Sequence, residues 1–147
     1  MAYTVSIRLL QSNTSFKVVE QTVWHYAGGG TWSTAADDKY ILTMNGSGTS
    51  GGLRVQDTQS GNTFIVVVGV HNYQFWSDVN TTTTDGPTLT YLHGTYYGSG
   101  ERKNEAKWLG DDGKGTYKRT FGNANVAFTA SKAAGSNNDF VVELFIA

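Results

Sequence analysis

Three short clusters of polar residues beside glycines and aromatic residues carry the groups best suited to recognise a ligand. They are YAGGGTWS at 26–33, GSGTSG at 46–51 and HNYQFWSD at 71–78. Side-chain hydroxyls, amides and imidazoles can match sugar hydroxyls, a flat aromatic ring suits the apolar face of a sugar, and glycine lets backbone groups approach closely. The same residue types are also typical of ordinary β-turns. Residue types alone therefore indicate a candidate glycan binder and no more.

Catalytic and metal-binding patterns are weak by comparison. The letters GxSxG occur at 48–52 with Ser50 in the nucleophile position, but that motif requires a turn from a strand into a helix, and no helical pattern follows. The three histidines, His25, His71 and His93, form no HExxH motif or other close pair that would indicate a metal site. We expect no enzymatic activity, no metal and no cofactor, with an esterase-like enzyme acting through Ser50 as the weaker alternative.

Length and charge limit the classes of protein to which this chain could belong. The 147 residues fit one domain, residues 1–147, and the formal net charge of −1 comes from 11 basic and 12 acidic residues. No basic stripe with aromatic residues is present, which argues against nucleic acid as a partner. Cysteine is absent, and the sequence starts without a signal-like apolar run and contains no stretch of 18 apolar residues. We expect a cytoplasmic protein that does not insert into membranes.

The hydropathy pattern is that of short strands. Eighteen glycines accompany a single proline, and the odd positions from Tyr3 to Leu9 are apolar while the even ones are polar. The run at 64–68 is apolar without alternation and rich in β-branched residues, which predicts a central strand covered on both faces. Similar patterns predict further strands at 17–26, 40–44, 52–56, 63–70, 88–91, 116–121, 125–130 and 139–146. The sequence therefore predicts an all-β fold, a two-sheet β-sandwich.

Two segments depart from that pattern. SGERKNEAKWLG at 99–110 contains good helix formers, a candidate cap at Ser99 and a glycine at its end, which predicts a helix of two to three turns. A second short helical turn is predicted at 73–79.

Four motifs in order make the chain resemble the fungal fruit-body lectins. They are YTVSIRLLQ, VEQTVWHYAGGGTW, ILTMNGSGTSGGLRV and VVGVHNYQFWSDV, followed weakly by the YYG-x-x-x-R segment at 96–102. The resemblance implies a β-sandwich with a short helix-loop-helix connection, similar to the actinoporin pore-forming toxins. It also implies a homodimer or homotetramer that binds glycans without a metal, in defence of the producing organism. The alternative function is a membrane-active, actinoporin-like pore former, which the strand-like rather than helical pattern at 3–10 disfavours.

The resemblance further implies two sugar sites. A site for Galβ1-3GalNAc would comprise Ala27, Gly28, Ser47, Gly48, His71, Asn72 and Tyr73. Relatives commonly carry Asn or Asp at the position of Gly28, so one side-chain contact is lost here. His71 as an ordinary loop histidine is the alternative interpretation.

A second site, for N-acetylglucosamine, would comprise Asp78, Val79, Thr81, Arg102 and Tyr117. The tyrosine is the nearest counterpart of one found in relatives, because the segment 110–115 is rearranged. A plain surface ion pair between Asp78 and Arg102 is the alternative interpretation.

Overall fold

The computed structural model describes residues 2–24, 28–82, 84–109 and 114–147. Within these ranges the chain forms strands and short helices in the following order: β1 Tyr3–Gln11, β2 Phe16–Trp24, β3 Gly30–Ala35, β4 Lys39–Met44, β5 Thr49–Asp57, β6 Thr63–His71, β7 Gln74–Asn80, helix α1 Leu89–Gly94, a 3₁₀ turn Lys103–Glu105, β8 Lys107–Trp108, β9 Gly115–Phe121, β10 Ala124–Lys132 and β11 Asp139–Ile146.

The strands form two sheets. One has the order β3-β4-β1-β11-β10-β9 and the other β2-β5-β6-β7-β8. Within the six-stranded sheet β1 and β11 run parallel, whereas the other neighbours are antiparallel. The hydroxyl of Thr4 in β1 donates to Asp139 in β11 at 2.6 Å. Alternate apolar side chains of both sheets fill a single core between them, so the predicted β-sandwich is confirmed.

Strand β6 is buried on both faces, as its sequence predicts. Val66 and Val68 point into the core between the sheets, while Ile65 and Val67 pack in a second cluster beneath helix α1. Strand β11 lies in the centre of the six-stranded sheet. It differs from β6 because only one of its faces is buried.

Helix α1 occupies a segment for which the sequence predicts a strand at 88–91. Thr88 caps the helix by accepting a hydrogen bond from the amide of Tyr91 at 3.2 Å. The amide of Leu89 donates to Glu20 at 2.9 Å, and Glu20 is held by an ion pair with Arg54. These contacts fix the start of the helix, and its buried leucines then cover the outer face of β6.

The two predicted helical segments are wrong. Residues 73–79 belong to the turn and strand of a hairpin, since β7 begins at Gln74 and pairs with β6. The segment 99–110 contains turns, the 3₁₀ turn and β8, because pairing of Trp108 with Trp76 extends the sheet there at the expense of a local helix. Gly110 lies outside the described residues.

The remaining strand predictions hold with small changes. Those at 40–44, 52–56, 63–70, 116–121, 125–130 and 139–146 are confirmed within β4, β5, β6, β9, β10 and β11. The strand predicted at 17–26 is β2 and ends at Trp24, while Tyr26 lies outside the described residues. Strand β3 is not predicted, since its residues are mostly exposed and lack a clear alternation.

Candidate functional site

Two adjacent loops at one end of the five-stranded sheet bring most of the first predicted set together. The loop before β5 carries Ser47 and Gly48, and the hairpin between β6 and β7 carries Asn72 and Tyr73. The amide of Gly48 donates to the Val70 carbonyl at 2.6 Å. The amide of Tyr73 donates to Ser47 Oγ at 3.0 Å. These two hydrogen bonds hold the loops side by side.

The hairpin turn between β6 and β7 has a strained backbone and exposed side chains. Asn72 and Tyr73 have φ values of 49° and 63° and lie between the paired residues His71 and Gln74. A two-residue turn with both φ values positive matches the twist of the strands, but it is built most easily from asparagine followed by glycine. A tyrosine in this conformation costs about 1 kcal/mol or more. Its side chain is 79% exposed, so packing in the described structure does not account for the cost.

Gly28 is tied to the same end of the sheet through Asn45. The side-chain amide of Asn45 donates to the Gly28 carbonyl at 2.7 Å, and the backbone amide of Asn45 donates to the Gly29 carbonyl at 3.0 Å. Gly28 has a φ of 78°. Asn45 is a positioning residue that the sequence did not single out, although it lies in the motif ILTMNGSGTSGGLRV. Ala27 lies outside the described residues.

The second predicted set centres on Asp78 in β7. This side chain is 1% exposed and accepts a hydrogen bond from the Tyr96 hydroxyl at 2.6 Å. Burial raises the pKa of Asp78 above its ordinary value, and the bond from Tyr96 partly offsets that rise. Its second oxygen, Oδ1, is buried and has no hydrogen-bond partner among the described residues.

Arg102 lies in the same part of the fold and is also buried. Its Nη1 donates to Glu101 at 2.9 Å and to Thr95 at 3.3 Å, so its ion pair is with Glu101 and not with Asp78. Its Nε is buried without a hydrogen-bond partner in the described part of the chain. A buried acceptor and a buried donor are thus both left unsatisfied, which is costly in the absence of a ligand.

Tyr117 comes from the opposite sheet. Its hydroxyl lies 3.0 Å from Ser77 Oγ and is also bound by the backbone of Val79. Its ring stacks on Phe128. Because side chains alternate along β7, Ser77 points toward the sandwich core while Asp78 points to the outer face. Thr81 follows directly after β7 and is half-buried.

A buried polar network surrounds Ser50. Its hydroxyl lies 2.7 Å from His93 Nε2 and also contacts the Tyr97 hydroxyl, while His93 Nδ1 lies 2.9 Å from Thr22 Oγ1. Ser50 and His93 have no exposed surface. Burial lowers the pKa of His93 to about 4, so the ring is neutral at neutral pH. A serine that a substrate cannot reach suits a structural role better than that of a nucleophile.

Metal-binding clusters and membrane-spanning helices are both absent from the described residues. Within residues 2–24, 28–82, 84–109 and 114–147, no group of three or more His, Cys, Asp or Glu side chains is arranged to hold a metal ion. The same ranges contain no helix with the length and apolar character needed to cross a membrane.

Comparisons with known proteins agree with this architecture. The family model described as fungal fruit body lectin matches residues 1–139. Boletus edulis lectin, from Boletus edulis, is 45% identical over 105 residues, which cover 69% of this chain and 72% of that lectin. The crystal structure of wild-type Xerocomus chrysenteron lectin matches with a TM-score of 0.86 at 36% identity and covers 100% of both chains. A methionine-substituted form of the same lectin gives a TM-score of 0.86 at 37% identity, covering 100% of this chain and 99% of that one.

Proposed function

Since the chain belongs to the fungal fruit body lectin family and is a carbohydrate-binding lectin, we propose that it binds two classes of glycan at two separate sites of the five-stranded sheet. The observation that carries the proposal is the strained turn at Asn72 and Tyr73, which is hydrogen-bonded to Ser47 and presents exposed side chains. Strain of this kind persists where a functional arrangement requires it.

The first site takes glycans of the Galβ1-3GalNAc type. Ser47 Oγ accepts from the Tyr73 amide, so its own hydroxyl proton remains available to a sugar oxygen. Asn72 and His71 are exposed beside it and supply further donors and acceptors. Gly48 and the 27–28 segment complete the site through backbone groups, and Gly28 contributes no side chain.

The second site takes N-acetylglucosamine-type glycans. Asp78 offers an acceptor and Arg102 a donor; both side chains are buried, and each has one atom without a partner among the described residues, so the sugar must displace the groups that cover them. Val79 contributes through its backbone and Thr81 through its hydroxyl. Tyr117 supports this site indirectly, because its hydroxyl is bound by the backbone of Val79.

The biological activity follows from weak sites used together. A shallow sugar site gives affinities of about micromolar to millimolar, so linked sites on a homodimer or homotetramer would supply useful avidity. We propose agglutination of glycan-bearing surfaces in defence of the producer, with glycoproteins or glycolipids as partners and without chemical change to the glycan.

Calorimetric titration tests the two-site proposal. Each sugar is titrated into the wild-type protein alone and again after saturation with the other sugar. We expect each to bind with an unchanged dissociation constant, because the two sets have no residue in common. Competition between the two sugars would show one shared site, and absence of binding by both would overturn the proposal.

A further inference from the structure

A cavity of about 340 Å³ lies between the first candidate site and the segment 96–108. Trp76, Tyr96 and Tyr97 form one part of its wall, and Trp108 forms another. Aromatic rings therefore form much of the wall. We refer to this space as the aromatic cavity.

The hydroxyl groups of Tyr96 and Tyr97 are engaged within the protein, which leaves ring surface for contact with an occupant of the aromatic cavity. The Tyr96 hydroxyl donates to Asp78 at 2.6 Å, and the Tyr97 hydroxyl contacts Ser50. Tyr97 is also stacked on Trp24, with ring centroids 4.6 Å apart. An occupant that meets such a wall gains most from an apolar face of its own.

Trp108 is held at the mouth of the cavity with its ring half exposed. Strand β8 pairs it with Trp76, and the next residue, Leu109, donates its amide to the Phe75 carbonyl at 3.1 Å. Its ring centroid lies 6.0 Å from that of His71, and 51% of its surface is exposed. A large flat ring that is fixed by backbone pairing but left uncovered is a suitable platform for stacking a sugar.

The aromatic cavity is continuous with the first candidate site, because Gly48 and His71 belong to both. An occupant is therefore most simply a further part of the same glycan. The rim residues Lys103 and Asn104 are exposed and supply hydrogen-bond donors for the hydroxyls of that part.

We propose that the aromatic cavity is an extension subsite, in which Trp108 stacks on the neutral pyranose unit that is joined to the sugar bound at His71 and Gly48. This inference rests on the proposed function of the first site. It adds a specificity determinant, since glycans with one more sugar would bind more tightly than the bare disaccharide.

The test compares three ligands by calorimetric titration. The first is the methyl glycoside of Galβ1-3GalNAc, the second its phenyl glycoside, which extends the reducing end by a flat ring, and the third a trisaccharide with one neutral pyranose added at the other end. We expect at least one extended ligand to bind about fivefold to tenfold more tightly than the methyl glycoside. We expect Trp108→Ala to abolish that advantage while leaving the methyl glycoside within about twofold of wild type.

Two variants make the outcome specific. Trp108→Phe keeps a ring and should retain part of the advantage, whereas Tyr91→Ala, at another exposed aromatic residue, should retain all of it. The inference is overturned if neither extended ligand gains affinity, or if the gain survives in Trp108→Ala. Failure of the methyl glycoside itself to bind would instead contradict the proposed function of the first site.

Discussion

The hydroxyl of Ser50 lies 2.7 Å from Nε2 of His93, in a network with no exposed surface at either residue. The distance is typical of a nucleophile and its base, but the burial is typical of core structure. The ring nitrogens contact Ser50 on one side and Thr22 on the other, so one nitrogen donates and the other accepts. The network thereby attaches α1, through His93, and the segment after it, through Tyr97, to β2 and β5.

Acidification should destabilise the protein through His93. Its pKa is about 4 in the folded protein against an ordinary value of 6.5, so the unfolded chain takes up a proton first as the pH falls. The stabilisation is complete above about pH 6.5 and is lost between there and about pH 4, with a magnitude on the order of 3 kcal/mol. Urea unfolding at a series of pH values measures it. The variant His93→Gln should lose most of this pH dependence.

The control for that experiment is His71→Gln, which makes the same change at an exposed histidine. Hydrogen bonds lower the pKa values of Asp57 and Asp139, so their contributions are lost only at more acidic pH, below their ordinary value of 3.8. The raised pKa of Asp78 acts in the opposite direction. Equal slopes for wild type and His93→Gln between about pH 6.5 and 4 would contradict the prediction.

Replacing Asn72 with glycine should weaken the first site selectively. Glycine adopts the positive φ of this position without strain, so the turn is kept while the side-chain amide is removed. We expect the affinity for Galβ1-3GalNAc to fall by about threefold to tenfold, the loss of one or two neutral hydrogen bonds. N-acetylglucosamine should bind as before. Asn13→Gly, also at a positive φ but in the turn between β1 and β2, is the matched control. Unchanged disaccharide binding in Asn72→Gly would remove Asn72 from the site.

Tyr73→Gly should make the protein more stable and weaken its binding of galactose-type glycans. Relief of the strained tyrosine conformation outweighs the greater flexibility of glycine in the unfolded chain, so we expect the free energy of unfolding to rise by about 0.5 kcal/mol. Binding of galactose-type glycans should fall at the same time. Urea unfolding and calorimetry on one preparation measure both quantities. A variant less stable than wild type by more than about 1 kcal/mol would show that Tyr73 stabilises the folded protein.

Conservative changes at the second site should affect N-acetylglucosamine alone. Arg102→Lys and Asp78→Asn keep the approximate size of each buried side chain while changing its hydrogen bonding. We expect the affinity for this sugar to fall by about tenfold or more, as for the loss of a hydrogen bond to a charged group. Arg8→Lys, on an exposed position of β1, is the control. Thermal unfolding identifies any variant that binds poorly because it is unfolded, and an equal loss for both sugars in a folded variant would argue against separate sites.

The sandwich was predictable because period-two patterns such as those at 3–9 and 139–146 reflect burial of one strand face. The segment 99–110 was not, since its helix-forming residues are overridden by pairing of Trp108 with a strand distant in sequence. The exposed position of the Trp108 ring beside His71 is unpredictable for the same reason. By contrast, Ser47 and Asn72 lie in turns at the ends of neighbouring strands, so their proximity follows from a correct strand order.

The surroundings of Arg102, in contrast, could not be predicted from the sequence. Its contact with Glu101 is local, but its burial near Asp78 depends on how the segment after α1 folds back over the sheet. No pattern in the sequence predicts that this segment packs there. The alternative interpretation of these two residues, a surface ion pair of Asp78 with Arg102, is wrong, because both side chains are buried and Arg102 pairs with Glu101.

The parallel pairing of β1 with β11 joins positions that are 135 residues apart, as in the contact of Thr4 with Asp139. During synthesis on the ribosome β1 leaves the exit tunnel early. It lacks its parallel partner until β11 has also left the tunnel. Until then the six-stranded sheet is split into the pieces β3-β4-β1 and β10-β9, each with an open edge. Nascent chains stalled before β11 should therefore be cut readily by proteases and should engage chaperones, whereas chains extended past it should become resistant in a single step.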